Sequence, residues 1–232
     1  MKKLFKPIKY FFDLLYPQLC EVCNASLVAG EKVICSHCRI DFPLTRNWDE
    51  RGNSVEKSFW GRVPVIAAAS YFFFARGSKY RVLLHKLKYA GRDDIGILLG
   101  QWFGNELATC SIFSDVDYII PVPLHPKKQK SRGYNQSEKI CIGLSAAMHK
   151  PVDTKTLVRT EFTNTQTKKN RMERWHNVST VFTVKNVEAL KNKHILLVDD
   201  VLTTGATLEA CCNAILSETD CRISIATLAL AN

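Results

Sequence analysis

The sequence has no run of about 18 uncharged apolar residues, the length a membrane-spanning helix needs. Its most apolar stretch, residues 63–75, is too short and stops at Arg76, so an integral membrane protein is not expected. A secretory signal is also missing. Lys6, Pro7, Lys9 and Asp13 interrupt any apolar core near the start, and no small-residue cleavage site follows. Acidic residues are scarce: 22 Asp and Glu stand against 32 Lys and Arg, a formal charge of +10. That balance favours partners carrying phosphate or other anions, without separating a nucleotide from DNA. Internal repeats and low-complexity tracts are absent, which argues against solenoids and disordered tails. What remains is ordinary globular composition, 46% hydrophobic and 23% charged in 232 residues. At roughly 100 to 200 residues per domain, this length accommodates one well-cored domain and a small appendage.

The first 19 residues place Leu4, Phe5, Ile8, Phe11, Phe12 and Leu15 at near-helical spacing with lysines opposite. This pattern predicts an amphipathic helix that docks on the body of the protein rather than on a membrane surface. Nine cysteines without an export signal point to the cytoplasm, where disulfides do not persist. Cys20 and Cys23 form one C-x-x-C pair, Cys35 and Cys38 another, with Gly30 in the loop between. Two such pairs offer the tetrahedral four-thiolate set that Zn²⁺ favours in structural sites, so a zinc finger is expected over residues 20–45. The competing role, a redox C-x-x-C, needs one pair beside a βαβ pattern, and here both pairs precede any such pattern. His37 lies inside the second pair but is superfluous once four thiolates are present. Cys110, Cys141, Cys211, Cys212 and Cys221 sit among apolar neighbours and read as small core residues.

Residues 46–60 are polar and contain Gly52, which predicts a linker before the main domain, residues 61–232. That domain alternates. Strands are expected at 65–74, 117–122, 156–158, 181–184, 194–198 and 222–230, and helices at 79–89, 95–110, 135–148 and 206–216. Alternation of this kind means an α/β fold with a mainly parallel sheet and helices on both faces, binding ligands beyond the carboxyl ends of its strands.

The run from Ile195 to Thr207 carries the functional argument. Ile195, Leu196, Leu197 and Val198 are a strand buried on both faces, and Asp199 and Asp200 appear where it leaves the sheet. Thr203, Thr204, Gly205, Ala206 and Thr207 then open a helix, so N–H groups and hydroxyls surround one point at its positive end, suited to a monoester phosphate. Two carboxylates beside that phosphate need donors, and the hydroxyl pair of a ribose supplies them. A polar turn with a Thr N-cap accounts for the residue types but not for their order. A Walker A loop is excluded because no lysine follows the glycine.

This run resembles the phosphoribosyl pyrophosphate (PRPP) motif of type I phosphoribosyltransferases: apolar residues, two acids, then T-T-G-[AS]-[ST]. The resemblance implies that Asp199 and Asp200 hold the ribose hydroxyls and that Thr203, Thr204, Gly205, Ala206 and Thr207 hold the 5′-phosphate. Further segments are similar to the ComF (competence protein F) family: Pro121-Val122-Pro123-Leu124-His125-Pro126, Arg132-Gly133-Tyr134-Asn135-Gln136, Gln166-Thr167, Arg174 and Asn177-Val178 with Phe182. Tyr134 stands where Phe is frequent. The cysteine finger fits as well, so the similarity covers nearly the whole chain. It implies a type I phosphoribosyltransferase-like domain with a small N-terminal zinc-finger module and an association with DNA uptake in natural transformation.

In the wider superfamily the loop holding Pro123 and Leu124 cradles pyrophosphate. The stretch holding Lys168, Lys169, Arg171 and Arg174 is where that superfamily carries its mobile active-site loop, whose closure adds positive charge near a leaving pyrophosphate. Lys127, Lys128, Lys130 and Arg132 suit a diphosphate or a nucleic-acid backbone, with Tyr134 close by to stack a base. Lys86, Lys88 and Arg92 read as a helix face. Transfer from PRPP requires Mg²⁺ on the diphosphate and a nucleophile at C1′, and no residue identifies that nucleophile. Three readings follow: a PRPP-binding protein serving single-stranded DNA and the uptake machinery, an active phosphoribosyltransferase of salvage or biosynthesis, or a DNA-binding module with a vestigial PRPP site.

Overall fold

The computed structural model describes residues 17–159 and 181–231. Their elements run α1 (Ser36–Ile40), α2 (Ser54–Lys57), β1 (Ala68–Phe74), α3 (Arg81–Tyr89), α4 (Asp93–Thr109), β2 (Tyr118–Pro121), α5 (Pro126–Arg132), α6 (Gln136–Met148), β3 (Leu157–Arg159), β4 (Phe182–Val184), α7 (Val187–Leu190), β5 (His194–Leu202), α8 (Ala206–Leu216) and β6 (Arg222–Ala231).

Four strands form a parallel sheet in the order β1-β6-β5-β2. The central strands β5 and β6 are apolar on both faces because both faces are covered. Leu196, Val198, Ala226 and Leu228 point into a core shared with α3, α4 and α6, while Ile195, Leu197, Ile223 and Ile225 meet Leu208, Cys211, Cys212 and Ile215 of α8. At the start of β5, the fully buried His194 ring bridges Asp115 (2.7 Å) and Ser224 (2.8 Å).

Helices α4 and α6 touch backbone to backbone. A Cβ at Gly100 would lie 2.3 Å from the Ile140 carbonyl oxygen, and one at Gly143 would lie 2.1 Å from that of Ile97. Only glycine allows this approach. It matters for function because the crossing fixes α6, whose first turn abuts the end of β5.

Several segments depart from expectation. The described part of the N-terminal segment, residues 17–19, is not helical: Leu19 forms an antiparallel bridge with Ser26. Residues 46–60, expected to be a linker, are built into the domain. Asn53 caps α2, its side-chain amide donates to the carbonyls of Asn47 (2.9 Å), Glu50 (2.8 Å) and Ala68 (3.0 Å), and Val55 and Phe59 are fully buried. Two apolar side chains in a polar segment were enough to anchor it. Residues 43–45 line the outer edge of β1, with the Thr45 N–H donating to Tyr71 (3.0 Å) and the Phe73 N–H to Pro43 (2.9 Å), which shields that edge from pairing with another chain. β3 and β4 pair antiparallel as a separate two-stranded sheet. Residues 126–132, for which no element was expected, form α5, with Pro126 in its first turn and left-handed Gly133 (φ +82°) at its end.

Candidate functional site

Two sites lie at opposite sides of α3. The first is the cysteine knuckle. The Sγ atoms of Cys20, Cys23, Cys35 and Cys38 all lie within 4.8 Å of one another, and Cys23 and Cys35 are 3.7 Å apart. A tetrahedron of ligands at the Zn–S distance of about 2.3 Å has edges of roughly 3.8 Å, so this set can hold such a metal ion with small adjustments. Burial works against a thiolate at Cys20, but the N–H groups of Cys35, Cys23 and Val22 outweigh it and bring its thiol down to about 7, whereas burial and the neighbouring sulfurs push the thiols of Cys35 and Cys38 up. His37 is exposed and faces Asp41 (3.5 Å) instead of the cluster. The knuckle is fastened to α3 and its surroundings. The Tyr80 hydroxyl donates to the Cys38 carbonyl (2.9 Å), and the Glu21 carboxylate is gripped by Lys86 and Arg92. Burial opposes the Glu21 charge, yet those two donors hold its carboxyl below the usual range.

The second site is the carboxyl end of β5. Burial and then the neighbouring Asp200 charge push the Asp199 carboxyl up to about 7. Its Oδ1 accepts from the Ser137 hydroxyl (3.0 Å) and the Asp200 N–H (2.8 Å). Lys88 of α3 lies 3.0 Å from Asp200 Oδ2. The buried Asn135 sets α6 in place for this contact: its amide donates to the Val122 carbonyl (3.0 Å), and its oxygen accepts from the Ser137 N–H (3.1 Å).

Beyond the acids, Thr203, Thr204, Ala206 and Thr207 are exposed around the start of α8, and Gly205 takes a left-handed φ of +74°. A Cβ there would sit 3.1 Å from the buried Phe59 ring. Arg62 braces the same loop by donating to the carbonyls of Thr204 and Ser58 (2.8 Å each) and pairing with Glu209. The result is a pre-formed helix N-terminus, open to solvent and held from behind, with N–H groups and hydroxyls available to an anion.

The loop after β2 places Pro123 and Leu124, both half-buried, beside a cavity of about 210 Å³ also lined by Asn135, Glu138, Leu157 and Arg159. Lys168, Lys169, Arg171 and Arg174 lie outside the described residues, as does the segment 1–16. Two readings change. Tyr134 is half-buried and tied inward, its hydroxyl donating to the Leu87 carbonyl (2.5 Å). Lys88 is not merely on a helix face, since it reaches the strand-end acids. Ser137, Arg62 and Phe59 carried no local signal, because each is brought to the site by packing between distant segments.

Residues 141–232, which include β5, its strand-end acids and β6, match the phosphoribosyl transferase domain family. DNA utilization protein YhgH of Escherichia coli O157:H7 is 29% identical over 211 residues, covering 84% of this chain and 89% of that protein. Competence protein F of Haemophilus influenzae is 35% identical over 91 residues, 39% of this chain and 40% of that protein. Competence protein ComFC of Bacillus subtilis is 31% identical over 136 residues, 58% of this chain and 52% of that protein. The chain is thus similar over most of its length to a DNA utilization protein and in part to two competence proteins, with a phosphoribosyl transferase domain match over residues 141–232.

Proposed function

We propose that the end of β5 binds PRPP together with Mg²⁺ and that the protein acts in the cytoplasm in uptake or processing of single-stranded DNA during natural transformation. Asp199 and Asp200 take the ribose hydroxyls, Thr203 to Thr207 the 5′-phosphate, and the loop of Pro123 and Leu124 the diphosphate. Lys168, Lys169, Arg171 and Arg174 supply further positive charge to the leaving group. Mg²⁺, bound with the ligand, neutralises diphosphate charge. Zn²⁺ in the four-cysteine knuckle is structural.

The observation that carries this reading is the pair of half-buried carboxylates directly before an exposed, hydroxyl-rich helix start whose shape is fixed by Phe59 and Arg62. A site needing both a diol and a phosphate uses every one of those groups. The named homologues, a DNA utilization protein and two competence proteins, support the DNA role. Isothermal calorimetry of PRPP with and without Mg²⁺ tests the ligand: saturable, Mg²⁺-dependent binding is expected, and no heat with either would overturn the reading. A second reading, transfer of the phosphoribosyl group to an acceptor, is favoured by the 210 Å³ cavity next to Pro123 and Leu124. Pyrophosphate release in the presence of a set of nucleobases and amines checks it.

A further inference from the structure

We propose that Tyr89 is a base-stacking platform for single-stranded DNA, set in a groove that runs from the sugar-phosphate loop to α5. Tyr89 is the last residue of α3 and is 66% exposed, whereas Tyr134, the aromatic nearest to it in type and neighbourhood, is committed to internal contacts. Two cavities meet at Tyr89 and Lys88. One, of about 580 Å³, extends from them past His85, Arg81 and Phe74 to Val201 and Thr203 at the phosphate loop. The other, of about 430 Å³, extends to Lys128, Ser131 and Arg132 of α5.

The ring is held in advance of any ligand. The Arg132 guanidinium lies 5.2 Å from its centroid and is itself hydrogen-bonded to Gln136 (2.6 Å), and the His85 ring is 5.2 Å away on the same helix. Aromatic faces between cations are the arrangement that binds a single strand, bases on rings and phosphates on positive charge. Acids in the vicinity are already paired: Asp200 with Lys88, Asp93 with Lys139, Asp94 with Arg92. The groove therefore offers cations without competing free carboxylates from those elements.

Beyond Tyr89, Lys128 and Arg132 line the second cavity and supply cations for the phosphates that flank a stacked base. A duplex would keep its base faces stacked internally and gain nothing from Tyr89. The inference rests on the proposed DNA role and not on PRPP binding.

Fluorescence anisotropy of the full chain with labelled oligothymidylate at about 50 mM salt, where phosphate contacts are strongest, tests it. Tyr89→Ala is expected to weaken binding about tenfold, at the low end of the loss for one stacked base, and Tyr89→Trp to restore it. An abasic strand of equal length should bind the native protein about as weakly as oligothymidylate binds Tyr89→Ala. Equal affinity of native and Tyr89→Ala protein, equal affinity for abasic and thymidylate strands, or duplex binding as tight as single-strand binding would each overturn the proposal, as would no binding at all. Calorimetry with PRPP separates the two claims. Tyr89→Ala should keep native PRPP affinity, and a native protein that bound DNA through Tyr89 but bound no PRPP would sink the sugar-phosphate reading alone.

Discussion

The cysteine knuckle and the strand-end site are assembled in opposite ways. The knuckle draws its four sulfurs from 19 consecutive residues, 20–38, and its shape is set by local turns. The strand-end site takes Asp199 and Asp200 from β5, Ser137 from α6, Lys88 from α3, and Arg62 and Phe59 from the segment before β1. One is a contiguous motif able to hold a metal ion, and the other is a surface that exists only when the sheet and its helices are packed. Damage to the first should therefore be structural and damage to the second should be chemical.

The largest effect tests the structural half. Cys35→Ser combined with Cys38→Ser should abolish bound zinc and lower the melting temperature by roughly 10 °C, since structural zinc supplies folding energy to a segment with little core of its own. Elemental analysis and calorimetric melting check it, and a variant with full zinc and native melting would break the contrast. At the other site, Asp199→Asn with Asp200→Asn should leave melting nearly unchanged while weakening PRPP by more than tenfold, because each charged acceptor is worth about 1.5 to 3 kcal/mol. Unchanged calorimetric affinity would reduce the acids to a turn.

Smaller in size is a pH effect that separates the sites further. Asp199 has its carboxyl raised from the ordinary range to about 7. The folded protein thus holds a proton there that the unfolded chain gives up near pH 4, and the associated stability is complete below about pH 4 and is lost as pH rises through 7. Melting should fall across that window in the native protein and stay flatter in Asp199→Asn. PRPP binding, which uses the charged form, should strengthen from pH 6 to 8 with release of a proton, seen as a buffer-dependent heat.

The same division explains what could be read from the sequence. Thiolate spacing, the four-residue apolar run of β5 and the acid-acid-threonine order are contiguous, so the four-cysteine cluster and the acids at the end of a buried strand were legible, as was the alternation that produces the parallel sheet. Arg62, Lys88 and Ser137 were not, because nothing in their own neighbourhoods says which distant strand end they will meet. Asn53, Val55 and Phe59 were hidden by polar neighbours. Helix α5 had a signal that was passed over: His125 as a side-chain cap, Pro126 in the first turn and Gly133 after the last. The glycines at 96, 100 and 104, spaced four apart on α4, also announced a close helix crossing that periodicity of apolar residues alone does not register.

Helix α3 is nine residues long, about 13 Å at 1.5 Å per residue. Tyr80, just before it, donates to the Cys38 carbonyl, and in its last turn Lys86 pairs with Glu21 of the knuckle while Lys88 pairs with Asp200 at the end of β5. Two residues apart on a helix, these lysines leave from nearly opposite faces. One turn of α3 is therefore a hinge pin common to both regions, and a rotation that tightened one ion pair would loosen the other.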